Sequence, residues 1–171
     1  MSTSSPFVPA EFEPYVDAIL LSFNATNQAI FEVLAGSYEP QGLLPFQLPR
    51  DMDEVERQLE DTPFDMIPYE DADGNSYDYA FGLNWSGVID DWRTERYGLT
   101  CDRVPLLKLI VDEVDDVLYG DTSAYTESSI QALEEAKEAA YEQINEPWNT
   151  QENIDAAYDA LYNAFTNLEA Q

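Results

Sequence analysis

Apolar residues recur every three or four positions through the last third of the chain, the spacing of one face of an α-helix. Leu107, Ile110, Val114 and Val117 set one such face. Ile130, Leu133, Ala136, Ala140 and Ile144 set a second, and Ile154, Ala157, Leu161, Phe165 and Leu168 a third. Thr126 and Thr150 stand where N-caps belong, each followed by acids in the first turn. A hydroxyl there meets unpaired amides, and negative charge favours the helix dipole. Pro147 interrupts the link between the second and third segments. Three amphipathic helices with short links predict an antiparallel bundle.

The first hundred residues follow a different pattern. Eight of the ten prolines and six of the seven glycines lie there, which predicts a turn-rich, mixed segment. AILLSF (18–23) is an apolar run of strand length, a buried strand or the end of a helix. Asn24 to Asn27 supply turn and cap chemistry, and Ile30, Phe31, Val33 and Leu34 share a helical face that Gly36 closes. Residues 15–36 therefore predict strand–turn–helix. Pro45 and Pro49 confine 42–49 to an edge strand or an extended strap. The charged stretch 51–61 reads as a helical turn or an open loop. In DADGNSYDYAFGLNW (71–85), Asp73-Gly74 predicts a tight hairpin turn in which glycine takes a positive φ. Tyr77, Tyr79 and Phe81 would then share one face of the returning strand. The predicted class is α+β, with one domain over 1–99 and a helical bundle over 100–171.

Charge and composition narrow the chemistry. Of 171 residues, 35 are acidic and 7 basic, a net charge of −28. Such a field repels phosphate backbones and anionic membranes, which excludes nucleic-acid binding. The aromatic share of 13% separates the chain from a disordered acidic tail. The absence of histidine excludes Ser-His-Asp and Cys-His catalysis and histidine metal sites. Cys101 stands alone, so no disulfide closes within the chain; it reads as a structural thiol, with Arg103 as its basic neighbour. No apolar run approaches the roughly 20 residues that span a bilayer, and the N-terminus carries no secretory signal. No cofactor is expected. Asp71, Asp73 and Asn75 match positions 1, 3 and 5 of an EF-hand loop, but Ser76 and Gly82 stand where glycine and glutamate belong. They remain candidates for an adventitious cation only. Adjacent acids such as Asp90-Asp91 read as solvated and without a role.

EPQGLLPFQLP (39–49) and, some thirty residues on, YDYAFGLNW (77–85) resemble the C-terminal α/β sandwich domain of glycoside hydrolase family 3, the family of β-glucosidases and β-xylosidases. Pro40, Gly42, Leu44 and Pro45 carry the first match, and Tyr79, Phe81, Gly82, Leu83 and Trp85 the second. The resemblance covers about 10–90. It implies a truncated α/β sandwich tail, without the barrel that holds the family's catalytic aspartate. Residues 104–171 are similar to the FIVAR helical module of bacterial surface and carbohydrate-active proteins, through Tyr125-Thr126, Ala132, Leu133, Ala136 and TQENIDAAYDAL.

The function these resemblances imply is the C-terminal, non-catalytic portion of a β-glucosidase-like hydrolase, inactive alone. The alternative is an autonomous carbohydrate- or protein-binding cell-surface module. Aromatic rings can stack on sugar faces; Tyr77, Tyr79, Trp85 and Trp148 are the candidate carbohydrate contacts, weighed against a core role for residues such as Phe81 and Trp85. The expected partners are a glycan or the parent's other domains. The expected setting, by resemblance, is extracellular or at a bacterial cell surface. The sequence leaves oligomeric state open.

Overall fold

Thr126 and Thr150 each accept a hydrogen bond from the amide three residues on, Ser129 N and Asn153 N, both at 3.3 Å. These caps begin the two longest helices of the computed structural model, which describes residue 3, residues 5–59 and residues 64–171. The chain divides into two compact units. One comprises 1–57 with 68–99, the other 58–67 with 100–171.

The second unit is helical. Helix α4 (Val104–Leu109) continues through a π turn (Ile110–Val114) into α5 (Asp115–Leu118). Helices α6 (Glu127–Asn145) and α7 (Gln151–Thr166) follow. Their directions can be read from the ends that meet. Arg103, just before α4, donates to Ile144 O near the end of α6 (3.0 Å). Asp102 N donates to Gln151 Oε1 at the start of α7 (2.8 Å). Thr126 N, before α6, donates to Glu169 O beyond α7 (2.8 Å). Helix α6 therefore runs antiparallel to both others. Leu106, Ile110, Leu133, Ile144 and Leu161 are completely buried between them, each contributing about 1.5–3 kcal/mol by leaving water. Cys101 and Ile67 join this interior, so the lone thiol is a core residue.

Two cations are spent inside this unit. Lys137 Nζ lies 2.6 Å from Asp115 Oδ1 and 4.8 Å above the Tyr119 ring. Burial opposes its charge, but the bonds to Asp115 and Tyr119 prevail and hold its pKa above the ordinary value. Arg103 is buried; its Nε and Nη2 reach the carbonyls of Ile144 and Glu146 (3.0 and 2.8 Å), and its guanidinium sits 5.0 Å from the Phe64 ring centroid.

The first unit is built from short pieces: α1 (Asn27–Leu34), α2 (Met52–Arg57), a hairpin of β1 (Leu83–Asn84) and β2 (Gly87–Val88), and α3 (Trp92–Tyr97). No strand forms over 18–23, contrary to the apolar pattern. Ser22 O accepts from Thr3 N (3.2 Å), but a strand needs a continuous neighbouring edge for its amides. Residues 44–49 form the expected strap. Leu44 exchanges bonds with Phe81 O and Ala80 N (2.7 and 2.9 Å), and Leu48 with Tyr77 O and Tyr69 N (3.0 and 2.8 Å). Pro45 lies between these points and Pro49 just beyond them, and neither has an N–H to donate. Gly82 must be glycine, because a β-carbon would collide with the Gly42 carbonyl. Of the charged stretch 51–61, residues 52–57 form α2, and residues 60 and 61 lie outside the described residues. Glu54 of α2 is buried and pairs with Arg50 (3.2 Å) and Arg57 (2.8 Å).

Candidate functional site

The tight turn predicted at Asp73-Gly74 is present, with Gly74 at φ +81°. Gly74 N donates to Asp71 O (3.0 Å), and Tyr77 N to Tyr69 O (2.8 Å). The three cation candidates meet here, but the Asp71 carboxylate serves the turn itself. Its Oδ1 accepts from Asp73 N (3.0 Å) and Asn75 N (2.9 Å), and its Oδ2 from Asn75 Nδ2 (2.9 Å). Burial alone would raise the Asp71 pKa; the bonds from Asn75, Asp73 and Tyr77 outweigh it and hold the group below the usual carboxylate range. Among the described residues no three His, Cys, Asp or Glu side chains are placed to share a metal ion.

The returning strand breaks early. Phe81 N donates to Asp78 O (3.1 Å) and Ala80 takes φ +67°, so Tyr77, Tyr79 and Phe81 do not share a strand face by alternation. The turn instead folds Phe81 back onto Tyr77, with ring centroids 5.1 Å apart and planes at 16°. Tyr69 closes the other side edge-on at 5.4 Å, and its hydroxyl donates to Glu13 (2.8 Å). Tyr77 thus spends its ring on neighbouring rings, and Tyr79 is half-buried.

Burial, then the negative charge of Glu13 and Asp71, pushes Tyr69 and Tyr77 up to about 12. The folded state therefore holds more protons than the unfolded chain above pH 10. The stability this supplies is complete below pH 10 and is lost as pH rises through 12. An ultraviolet titration of the eleven tyrosines is expected to show a late fraction that ionises only as the first unit opens. Tyr77→Phe should reduce that fraction. Ionisation of all eleven together near their ordinary value would contradict it.

Trp85 and Trp148 have the opposite character: 61% and 81% of their surfaces are exposed. Trp148 belongs to the second unit, in the link between α6 and α7. The next residue, Asn149, is buried and ties that link to Gln143, Thr150 and Asn153. Trp85 belongs to the first unit and is not a core residue. It occupies the two-residue tip of the β1–β2 hairpin, whose register pairs Leu83 with Val88 and Asn84 with Gly87. Its amide donates to Glu39 Oε1 (3.4 Å).

Asp91 has a role that the sequence did not suggest. Its side chain caps α3, with Thr94 completing a capping box, and it chelates Arg93 through Nε and Nη2 (2.9 and 2.6 Å). These bonds hold its carboxyl down at about 2. Arg93 Nη1 reaches across to Gln41 O (2.8 Å). The spacing Asp91–Thr94 was the only local signal for this cluster, because Glu39 and Gln41 lie some fifty positions away.

Over 80 residues the chain is 45% identical to β-glucosidase C of Emericella nidulans, a match covering 47% of this chain and 12% of that protein. Over 60 residues it is 40% identical to the probable β-glucosidase C of Aspergillus flavus and to that of Aspergillus oryzae, 35% of this chain and 10% and 9% of theirs. The chain thus spans about a tenth of the length of these curated relatives. They are fungal, whereas the helical resemblance implied a bacterial setting. No family model matches the chain, and no solved structure does. Its similarity to known proteins is a partial one, to fungal β-glucosidase C.

Proposed function

We propose that the first unit is the C-terminal, non-catalytic part of a β-glucosidase-like glycoside hydrolase of family 3, and that the second is a FIVAR-like helical appendage to it. The observation that carries this reading is the 45% identity to a β-glucosidase over a stretch that is 12% of that enzyme. A second observation supports it. Helix α1 buries none of its residues, and Phe31 and Leu34 are 66% and 65% exposed on it. An amphipathic helix left open on its apolar side is suited to be covered by a further layer, which the rest of a hydrolase domain would supply. Retaining hydrolysis needs two carboxylates about 5–5.5 Å apart across the sugar. No such pair is assigned to this chain, so its role is to complete a domain and not to cleave.

A chimera tests this. The matched stretch of E. nidulans β-glucosidase C is replaced by the corresponding residues of this chain, and hydrolysis of an aryl β-glucoside is measured. The chimera is expected to be active and the 171-residue chain alone inactive. Phe31→Asp with Leu34→Asp should lower active chimera by about tenfold or more, because two unpaired carboxylates would have to be buried. An inactive chimera, an active isolated chain, or a double variant as active as its parent would each overturn the proposal.

A further inference from the structure

The tip of the β1–β2 hairpin has a composition that its own folding does not require. Two-residue hairpin turns favour Asn, Asp and Gly, yet Trp85 stands there with 61% of its surface in water. The tip is fixed from both sides. Ser86 N donates to Asn84 Oδ1 (2.8 Å), and Trp85 N to Glu39 Oε1 (3.4 Å). Two residues beyond Glu39, the Gln41 carbonyl receives Arg93 Nη1. The strap 39–41 therefore joins the hairpin tip to the start of α3, and Glu39 lies within Coulombic reach of Arg93. A planar carboxylate and a planar guanidinium thus accompany an exposed indole on a braced backbone.

We propose that Trp85, Glu39 and Arg93 form a contact site for a β-linked gluco-oligosaccharide. An all-equatorial pyranose presents a flat face of C–H groups that fits the Trp85 indole, and a rim of hydroxyls that fits paired planar donors and acceptors. Glu39 uses Oε1 on the Trp85 amide and keeps Oε2 to accept from a sugar hydroxyl. Of the five N–H donors of a guanidinium, Arg93 uses one each at Nε, Nη1 and Nη2. Two remain to donate. The Asp91 chelate and the Gln41 bond hold that fork in place, so little side-chain freedom is lost when a ligand arrives. Stacking on a single ring that is 61% exposed implies millimolar affinity, suited to gripping a distal sugar unit of a chain and not to recognition by itself.

The site rests on the glycosidase reading for its choice of sugar, and the experiment separates the two. The chain holds three tryptophans, Trp85, Trp92 and Trp148, hence three indole N–H resonances. Titration of the labelled 171-residue chain with cellotetraose is expected to move the Trp85 resonance saturably at millimolar ligand. Trp85→Ala should remove the response while the other two resonances stay in place, which also reports an intact fold. Glu39→Gln, which keeps the acceptor to the Trp85 amide but loses the charge, should weaken binding by about threefold to tenfold, under about 1.4 kcal/mol. A Trp85 resonance that never moves, or a response confined to Trp92 or Trp148, would overturn the site. If the chimera is active while Trp85 is silent, only the sugar contact fails; if the chimera is inactive, the parent reading fails first.

Discussion

Leu161→Ala is expected to destabilise the helical unit by about 3–4 kcal/mol, the middle of the range for emptying a fully packed leucine site. Leu161 has no exposed surface. It lies on α7, the helix that packs against both α4 and α6, and belongs to the one buried cluster that joins residues of all three helices, so the vacancy would open inside that shared core. A unit of this size has a total stability of only several kcal/mol, and each kcal/mol moves its melting temperature by roughly 4–8 °C. The variant should therefore melt some 15–25 °C lower by far-ultraviolet circular dichroism, which the helices dominate. Asn163→Ala, two positions on and exposed, should stay within about 0.5 kcal/mol of the parent. A Leu161→Ala loss below about 1 kcal/mol would mean that the three helices do not share one core.

The same residues explain why this half of the chain was legible in its sequence. Helix periodicity is local, and Thr126, Thr150 and the apolar positions of α6 and α7 carry it without help from distant segments. The exception is the first helix. There Leu106, Leu107, Leu109 and Ile110 are all buried, more than one face of a regular helix accommodates. The π turn over Ile110–Val114 takes up the difference, since its wider turn rotates the residues that follow.

In the first unit the decisive contacts are long-range, and local pattern misled in proportion. AILLSF has the composition of a strand, but composition provides no neighbouring edge. Tyr77, Tyr79 and Phe81 alternate in sequence, but Ala80 at φ +67° ends the alternation; a β-carbon makes that conformation uncommon, so it is not anticipated from the residue type. The Asp-Gly turn, which needs only its own four residues, was readable. Of the site residues, Trp85 and Trp148 stood out as aromatics, whereas Glu39 and Arg93 became partners of the hairpin tip only through contacts 46 and 52 residues apart.

Arg103→Ala is expected to cost the helical unit about 3 kcal/mol, comparable to a core truncation, for a different reason. In the sequence Arg103 was notable only as the neighbour of Cys101. In the fold it is a buried cation that pairs with no carboxylate among the described residues; it ends α6. The last carbonyls of a helix lack partners within it, and Arg103 satisfies two of them, Ile144 O and Glu146 O. Hydrogen bonds from a charged donor contribute about 1.5–3 kcal/mol each; without the donor Glu146 O keeps its bond from Asn149 N (3.3 Å), and the loss falls mainly on Ile144 O. The negative end of the helix dipole adds to this attraction. The Phe64 ring covers the guanidinium face, an interaction worth up to about 2 kcal/mol once water is excluded. Two further variants separate packing from polarity in urea unfolding. Arg103→Met keeps most of the stem but none of the donors and should recover only a minor part of the stability lost in Arg103→Ala. Arg103→Lys keeps the charge but has no planar fork, so it should satisfy one carbonyl and fall between the parent and Arg103→Met. If Arg103→Met proves as stable as the parent while Arg103→Ala is not, volume holds the end of α6 and the hydrogen bonds do not.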